Sequence, residues 1–327
     1  MIKEEVQPTG RVTKNGGGHA TVERALSVSL VVPTRDRNNG LEICLKAASL
    51  LKMAPQEIIV VDSAPTGEGA KEVAMRWRAR YIREDEPGVS RARNRGAHEA
   101  CGDIVAFTDD DAAPDVNWLD SIVQEFQDPL VALVVGKVVP PAGKPELDRL
   151  YRLCGFTGQG DERVIVDRDV SHWFEKVTFL PFGVGPNLAI RRTVFKQWRG
   201  FDVRLGPGTP VPGHEEQRAF LELIDLGFRL VYAPTSRVIH PLPAPSVIEL
   251  RTRRLYRMQA SSAYFTMLFV EDPRHRREIL EYIMSKLWGE SDQHDVVAGE
   301  YIPRMRRFLA RLRGPLLYFK SRSKIHD

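Results

Sequence analysis

The run Phe107–Asp115, "FTDDDAAPD", sets Asp109, Asp110 and Asp111 side by side behind an apolar stretch. Adjacent carboxylates repel and raise one another's pKa, so the arrangement is costly unless water, a cation or a hydrogen-bonded ligand compensates. Two uses are open. One Asp can cap a helix running over Asp115–Phe126. Alternatively, strand-end carboxylates can hold Mg²⁺ or Mn²⁺ against substrate phosphates, because these cations take oxygen ligands. A second acidic pair, Glu215 and Glu216, stands where the Gly- and Pro-rich loop "LGPGTPVPGH" enters a segment with helical apolar spacing. There a carboxylate either answers the helix dipole or serves as a general base within hydrogen-bond reach of a substrate proton. His240 closes the stretch "RVIHP". A lone His is ordinarily structural, and it becomes a ligand candidate only if its strand ends beside the Asp run. His98, His172 and His214 are weaker candidates.

These groups need elements to position them. "SVSLVVPTRDR", "EIIVVDSAPTGEG", "RYIREDE" and "GDIVAFTDDD" read as strands running into polar loops, and "GLEICLKAASLLK", "AKEVAMRWRA" and "SRARNRGAHEA" between them have helical spacing. Strands alternating with helices predict an α/β fold with a Rossmann-like, mainly parallel central sheet, since parallel neighbours need a crossover. Ligands of such sheets sit beyond the carboxyl ends of the strands. Thr34–Asp36, Asp62–Ser63 and Asp109–Asp111 would then share one rim. Further on, "PDVNWLDSIVQEFQD" predicts a helix, "LVALVVGKVVPP" a strand stopped by Pro-Pro, "EEQRAFLELIDLG" a helix and "FRLVYAPTSRVIHP" a terminal pair of strands. The stretch 142–177 has no assignable period.

Three regions follow: a polar, flexible tail over 1–25, an α/β domain over 26–245 and a helical basic region over 246–327. The domain divides into two halves, at about 26–140 and about 141–245. In the last region "RMRRFLARLRGPLLYFK" interleaves cations with Phe308, Leu309, Leu312, Leu316, Leu317, Tyr318 and Phe319. Such a helix either packs its apolar face on the body with Arg in solvent, which is the commoner arrangement, or makes peripheral contact with anionic lipid.

With 327 residues the chain can bury a large core, and a hydrophobic fraction of 43% beside 28% charged residues excludes global disorder. Forty-seven basic against forty-three acidic residues leave a net charge of +4, too little for a dedicated nucleic-acid binder, so no nucleic-acid partner is expected. Cys44, Cys101 and Cys154 lack paired zinc spacing and read as reduced core residues. No apolar run is long enough to span a bilayer, and no secretory pattern opens the chain, so a cytoplasmic location is expected, peripheral at the inner membrane face if the basic helix binds lipid. P-loop, nucleophile-elbow, HExxH and first-strand GxGxxG motifs are missing, which removes support for nucleotide hydrolases, serine hydrolases, zincins and dinucleotide oxidoreductases.

In order and spacing, "SLVVPTRDR", "EIIVVDSAP", "GVSRARNRGAHEACGDIVAFTDDDA", "NLAIRRTVF", "GFD", "GHEEQRAFLELIDLGFRLVYAP" and "VIHP" resemble the family 2 glycosyltransferases of the GT-A fold, over roughly Ser27–Pro241. The resemblance implies a metal-dependent, inverting transfer from a nucleotide sugar, in the first instance a UDP-sugar, to a hydroxyl on a glycan, lipid or small metabolite, with Mn²⁺ or Mg²⁺ as cofactor; it makes 26–245 the catalytic domain, with the nucleotide-sugar half at about 26–140 and the acceptor half at about 141–245. It implies that Pro33, Thr34, Asp36 and Asp62 hold the base, and that Arg91, Arg95 or both support base or diphosphate while Asn94 braces the loop. Asp109 falls near the ribose and Asp111 on the metal, with Asp110 able to share either task and His240 completing the metal shell. Glu216 stands where the family's "ED" motif has its Asp base, one methylene longer, with Glu215 as the alternative. Asn187, Gly200, Phe201 and Asp202 match an acceptor-side wall. Trp173 and Trp198 can stack on a sugar, although core packing is the commoner fate. The Gln-x-x-Arg-Trp pattern of processive synthases is absent, which favours single transfer. A sugar-phosphate nucleotidyltransferase and a non-catalytic nucleotide-sugar-binding or membrane scaffold are the rival functions.

Overall fold

The computed structural model describes residues 25–141, 160–180, 182–241, 247–288, 296–297 and 300–323. Residues 1–24 of the expected tail, Cys154 and the first half of the unassigned stretch, 142–159, lie outside them.

The first half alternates as expected. Strand β1 (Val28–Thr34), helix α1 (Asn38–Ala48), β2 (Glu57–Ser63), α2 (Gly69–Arg76), β3 (Arg80–Glu84), α3 (Val89–Glu99) and β4 (Ile104–Phe107) follow one another. Every residue of β1 and β4 is buried, as a central parallel strand covered on both faces requires. Side chains alternate accordingly. Leu30, Val32, Val60 and Ala106 pack with Leu41 and Leu45 of α1, whereas Val31, Ile59, Val61 and Phe107 pack with Ala92 and Ala97 of α3.

The remaining elements are β5 (Ala113–Pro114), α4 (Trp118–Glu125), β6 (Val131–Val139), β7 (Val164–Val166), α5 (Trp173–Thr178), β8 (Leu188–Arg191), α6 (Glu215–Asp225) and β9 (Arg229–Ile239). They complete a nine-stranded sheet of order β3-β2-β1-β4-β8-β6-β9-β5, with β7 also on β9. β1 to β4 are parallel to one another and β6 is parallel to β9, while β8, antiparallel to both β4 and β6, joins the two sets. The mainly parallel α/β expectation therefore holds.

Two boundaries differ from the sequence reading. The segment "FRLVYAPTSRVIHP" is one strand, not a pair: its pairing with β6 jumps from Gly136–Ala233 to Lys137–Arg237, so Pro234–Ser236 bulge out and the strand resumes. Helix α4 starts at Trp118 rather than Asp115, because Asp115 takes the Asn117 N–H on its side chain at 2.9 Å and forms a turn. The Asp triplet is therefore not a cap for this helix. Cys44 is a buried core thiol as expected, but Cys101 is exposed.

Helices α7 (Val247–Glu271), α8 (Arg276–Trp288) and α9 (Arg304–Ser323) form the basic region, and Tyr264, Leu268, Ile279 and Tyr318 build its own core with Phe174 and Leu221. α9 meets α7 through Arg307, Ala310, Gly314, Tyr318 and Ser321, a buried stripe at three- and four-residue spacing. Pro315 lies inside α9 and cannot donate to the Arg311 carbonyl; the Ser262 hydroxyl of α7 donates to it instead, at 2.7 Å. A Cβ on Gly314 would stand 2.4 Å from Ser262 Cβ and 2.6 Å from the Ala263 backbone nitrogen. Gly314→Ala must push the two helices apart, with an expected overpacking cost of about 1–3 kcal/mol. Thermal unfolding should show a melting temperature several degrees lower; an unchanged one would refute the close approach.

Candidate active site

The acids converge because three parallel strands stop at one level. Thr34 pairs in register with Asp62, and the loop after β4 runs on from the strand beside β1. Antiparallel pairing of Ala113 with Ile239 and Pro114 with Val238 then ties that loop to the end of β9, immediately before His240. Asp109, Asp111 and His240 each offer a ligand atom, all within 4.8 Å of one another. His240 Nε2 is 3.2 Å from Asp111 Oδ1 and 3.9 Å from Asp109 Oδ2. Two carboxylates and an imidazole converging from separate segments are a donor set suited to Mn²⁺, which accepts nitrogen beside oxygen, and more loosely to Mg²⁺.

Asp110 points elsewhere. Thr34 Oγ1 donates to it at 2.7 Å and Arg37 at 3.3 Å, while burial pushes its pKa up to about 6 against both. Arg37 also donates to Asp111 at 2.6 Å. Burial opposes the charged form of Asp111, but His240 and Arg37 outweigh it and hold its carboxyl below the usual range. In return the two Asp carboxylates raise the His240 pKa, against its burial.

A second acidic group faces the first across Arg93. This guanidinium, 3% exposed, lies 3.5 Å from Asp109, 3.3 Å from Glu215 and 3.5 Å from Glu216. Its carbon sits 5.5 Å from the centroid of the Phe201 ring. Backbone at Gly185 makes the room: a Cβ there would stand 2.0 Å from Arg93 Nη2 and 2.5 Å from Glu216 Oε1. One cation thus holds together three carboxylates that would otherwise repel. Glu215 and Glu216 open helix α6, where the dipole favours negative charge. The Glu215 side chain is 4% exposed and that of Glu216 14%, and Glu215 Oε2 is buried without a hydrogen bond. Burial first, and the neighbouring Glu216 second, push the Glu215 pKa well up despite Arg93.

The other predicted residues fall as follows. Pro33 and Thr34 end β1, and Asp62, buried, accepts from the Tyr81 hydroxyl at 3.1 Å. Asp36 accepts from Thr66 N–H and Oγ1 at 3.0 Å each, fixing the loop beside them. Arg91 and Arg95 are turned away: with Glu84, His98, Trp198 and Arg199 they surround a separate cavity of about 460 Å³ whose lining includes none of Asp109, Asp111, Glu215 and Glu216. Asn94 braces a loop, its amide exchanging two 2.8 Å bonds with the Phe201 backbone. Gly200 packs on the same Asn94 side chain.

Asn187, expected on the acceptor wall, is fully buried and braces the sheet, accepting from Trp118 Nε1 at 2.8 Å and donating to the Lys137 and Ser236 carbonyls. Phe201 lines the inner side of Arg93, and Asp202 is spent on Arg204, which also grips Glu271 of α7. Trp198 is core, donating to Glu222 at 2.8 Å, and Trp173 packs edge-on to Phe174 and His275. His214, half-buried at the start of α6, meets the Ser261 hydroxyl at 2.9 Å and stacks on Tyr264. His98 and His172 are solvent-exposed.

Sequence reasoning missed Arg93, Arg37 and Gly185. A signal for Arg93 existed: it shares the α3 face of Gly96 and Ala97, small residues that mark the side against the sheet, whereas Arg91 and Arg95 share another.

A family model described as "Glycosyl transferase family 2" matches residues 29–199. The chain is 28% identical over 169 residues to a glucosyl-dolichyl phosphate glucuronosyltransferase of Haloferax volcanii, and spans about half the length of that relative as well as half of its own. Its fold is similar to that of the mannosyltransferase PcManGT from Pyrobaculum calidifontis, solved in complex with GDP-Man and Mn²⁺. That match has a TM-score of 0.57 and 19% identity over 92% of this chain and 76% of the other. It is also similar to S. aureus TarS in complex with UDP-GlcNAc, with a TM-score of 0.52 and 13% identity over 92% of each chain. At these identities the likeness is one of architecture.

Proposed function

The chain belongs to glycosyl transferase family 2, and from that premise we propose that it is a metal-dependent inverting glycosyltransferase. On this reading it moves a sugar from a nucleotide-sugar donor to a hydroxyl on a glycan, lipid or small metabolite, and works in the cytoplasm. The observation that carries the reading is one crevice in which Arg93 joins Asp109, of the Asp109–Asp111–His240 trio, to Glu215 and Glu216.

Asp109, Asp111 and His240 would hold Mn²⁺ or Mg²⁺, which when bound neutralises the donor diphosphate and the charge that develops on it as it leaves. Pro33, Thr34, Asp36 and Asp62, on the same rim, would hold the nucleotide base. Glu216, the more exposed of the acidic pair, takes the proton from the acceptor hydroxyl. The freed oxygen attacks the anomeric carbon as its bond to the diphosphate oxygen breaks, so the new bond forms on the opposite face. Glu215, buried behind it, keeps Arg93 in place. The carboxylates lie on either side of Arg93 as separate attacking and leaving sides require.

UDP-sugars are the first candidates, with GDP-sugars next, since the two structural relatives are complexes of one and the other. A thermal-shift panel of UDP- and GDP-sugars with and without Mn²⁺ tests the reading. One donor should raise the melting temperature by several degrees in the presence of Mn²⁺ and little without it, and turnover should release the nucleoside diphosphate. Release of pyrophosphate would make the protein a nucleotidyltransferase, and no shift with any donor would remove the assignment.

A further inference from the structure

We propose that α9 is a docking surface for an anionic lipid bilayer. Its buried stripe faces α7, yet the opposite face is apolar too. Met305, Phe308, Leu309, Leu312, Leu316 and Phe319 recur at three- and four-residue spacing and so share one side of the helix, with Met305 67% and Leu316 68% exposed. A helix that only covered the body would place such residues inward. Here the contact with α7 uses small and polar side chains, Ala310, Gly314 and Ser321 among them, and the large apolar ones are left outside.

Charge identifies the occupant. Helical spacing sets Arg304, Arg311 and Arg322 along one edge of the apolar stripe and Arg306, Arg313 and Lys320 along the other. No acidic residue occurs anywhere in Arg304–Ser323. A stripe of Phe, Leu and Met bounded by cations on both sides is the geometry of a helix lying in the headgroup plane, apolar face down, with cations at the level of lipid phosphates. A second copy of the chain fits less well. A two-fold contact through this face would bring each basic edge against its own copy or against the other, with no acid on α9 to answer it.

The neighbouring relief agrees. Phe308 and Leu312 also form the lip of a cavity of about 380 Å³ between α7, α8 and α9, walled by Phe265, Tyr282 and Ile283 and bordered by Arg311. Ser261, on the same wall, bonds His214, the residue before Glu215. A bilayer under α9 therefore lies on the flank of the protein from which α6 starts.

The test is vesicle flotation of the full chain with phosphatidylcholine vesicles and with phosphatidylcholine vesicles containing phosphatidylglycerol. The protein should float with the anionic vesicles, less at high salt and little with the neutral ones. Leu312→Glu with Leu316→Glu should reduce flotation at least about tenfold, with little change in melting temperature because the two side chains are 53% and 68% exposed. Independently, Arg306→Gln and Arg313→Gln should each weaken partition about fivefold. Failure of the parent chain to float with anionic vesicles, or full flotation of the Leu312→Glu, Leu316→Glu protein, overturns the proposal. So does a concentration-dependent dimer in sedimentation that Leu316→Glu abolishes while the parent chain ignores lipid, since that gives the face to a second copy. None of these readouts depends on transfer activity, so the outcome stands apart from that of the proposed reaction.

Discussion

Glu216→Gln should bind the donor as the parent chain does and transfer its sugar about 10²–10⁴ times more slowly, the usual contribution of a general base. The substitution keeps the size of the side chain and a carbonyl oxygen toward Arg93, 3.5 Å away in the parent, so the crevice should survive. What is lost is an acceptor for the hydroxyl proton. Glu215→Gln separates the two acids. Burial and the adjacent charge already favour the protonated form of Glu215, so an amide there mimics a state the residue readily adopts and should cost far less. Single-turnover rates and donor affinity measured on both variants decide the matter. An unchanged rate in Glu216→Gln, with a large loss in Glu215→Gln, would transfer the base assignment to Glu215.

Asp111→Asn should lower divalent-cation-dependent donor turnover by at least about a hundredfold, the upper end of what is lost when only a partner of a metal ligand is removed. The substitution takes a charge from a group that touches both His240, at 3.2 Å, and Arg37, at 2.6 Å. Arg37 is then left facing Asp110 alone. The thermal shift given by donor plus Mn²⁺ should vanish with the activity, whereas the melting temperature of the free protein should change little. Full activity in this variant would contradict the role of Asp111.

Much of this site was readable before any coordinates. The acids at Asp62 and Asp109–Asp111 follow apolar runs that can only be buried strands, and parallel strands must end on one side, so a shared rim followed from periodicity alone. Residue patterns alone leave His240 unplaced and only the family resemblance puts it there; what carries it to Asp111 is β5, two residues long and invisible to pattern reading, through its pairing with β9. The family resemblance assigned Asn187 to an acceptor wall, whereas its amide is consumed by Trp118, Lys137 and Ser236 inside the sheet, contacts that only the fold brings together. Arg91 and Arg95 drew attention as cations in a matching motif; the helix phase that turns Arg93 inward instead was present in Gly96 and Ala97 but needs the sheet to give it direction. The apolar stripe of α9 was visible as composition. Which face it occupies depends on Gly314 and Ser262 touching, a contact no local pattern encodes.

The central claim, that Asp109, Asp111 and His240 act as one ligand set beside the acidic pair, is met most directly by electron paramagnetic resonance of Mn²⁺ bound to the full chain with a nucleoside diphosphate. Hyperfine coupling to a histidine nitrogen should be present in the parent protein and in Glu216→Gln, and should be lost in His240→Gln. Mn²⁺ bound without nitrogen coupling in the parent chain, or bound equally well after Asp111→Asn, would contradict it.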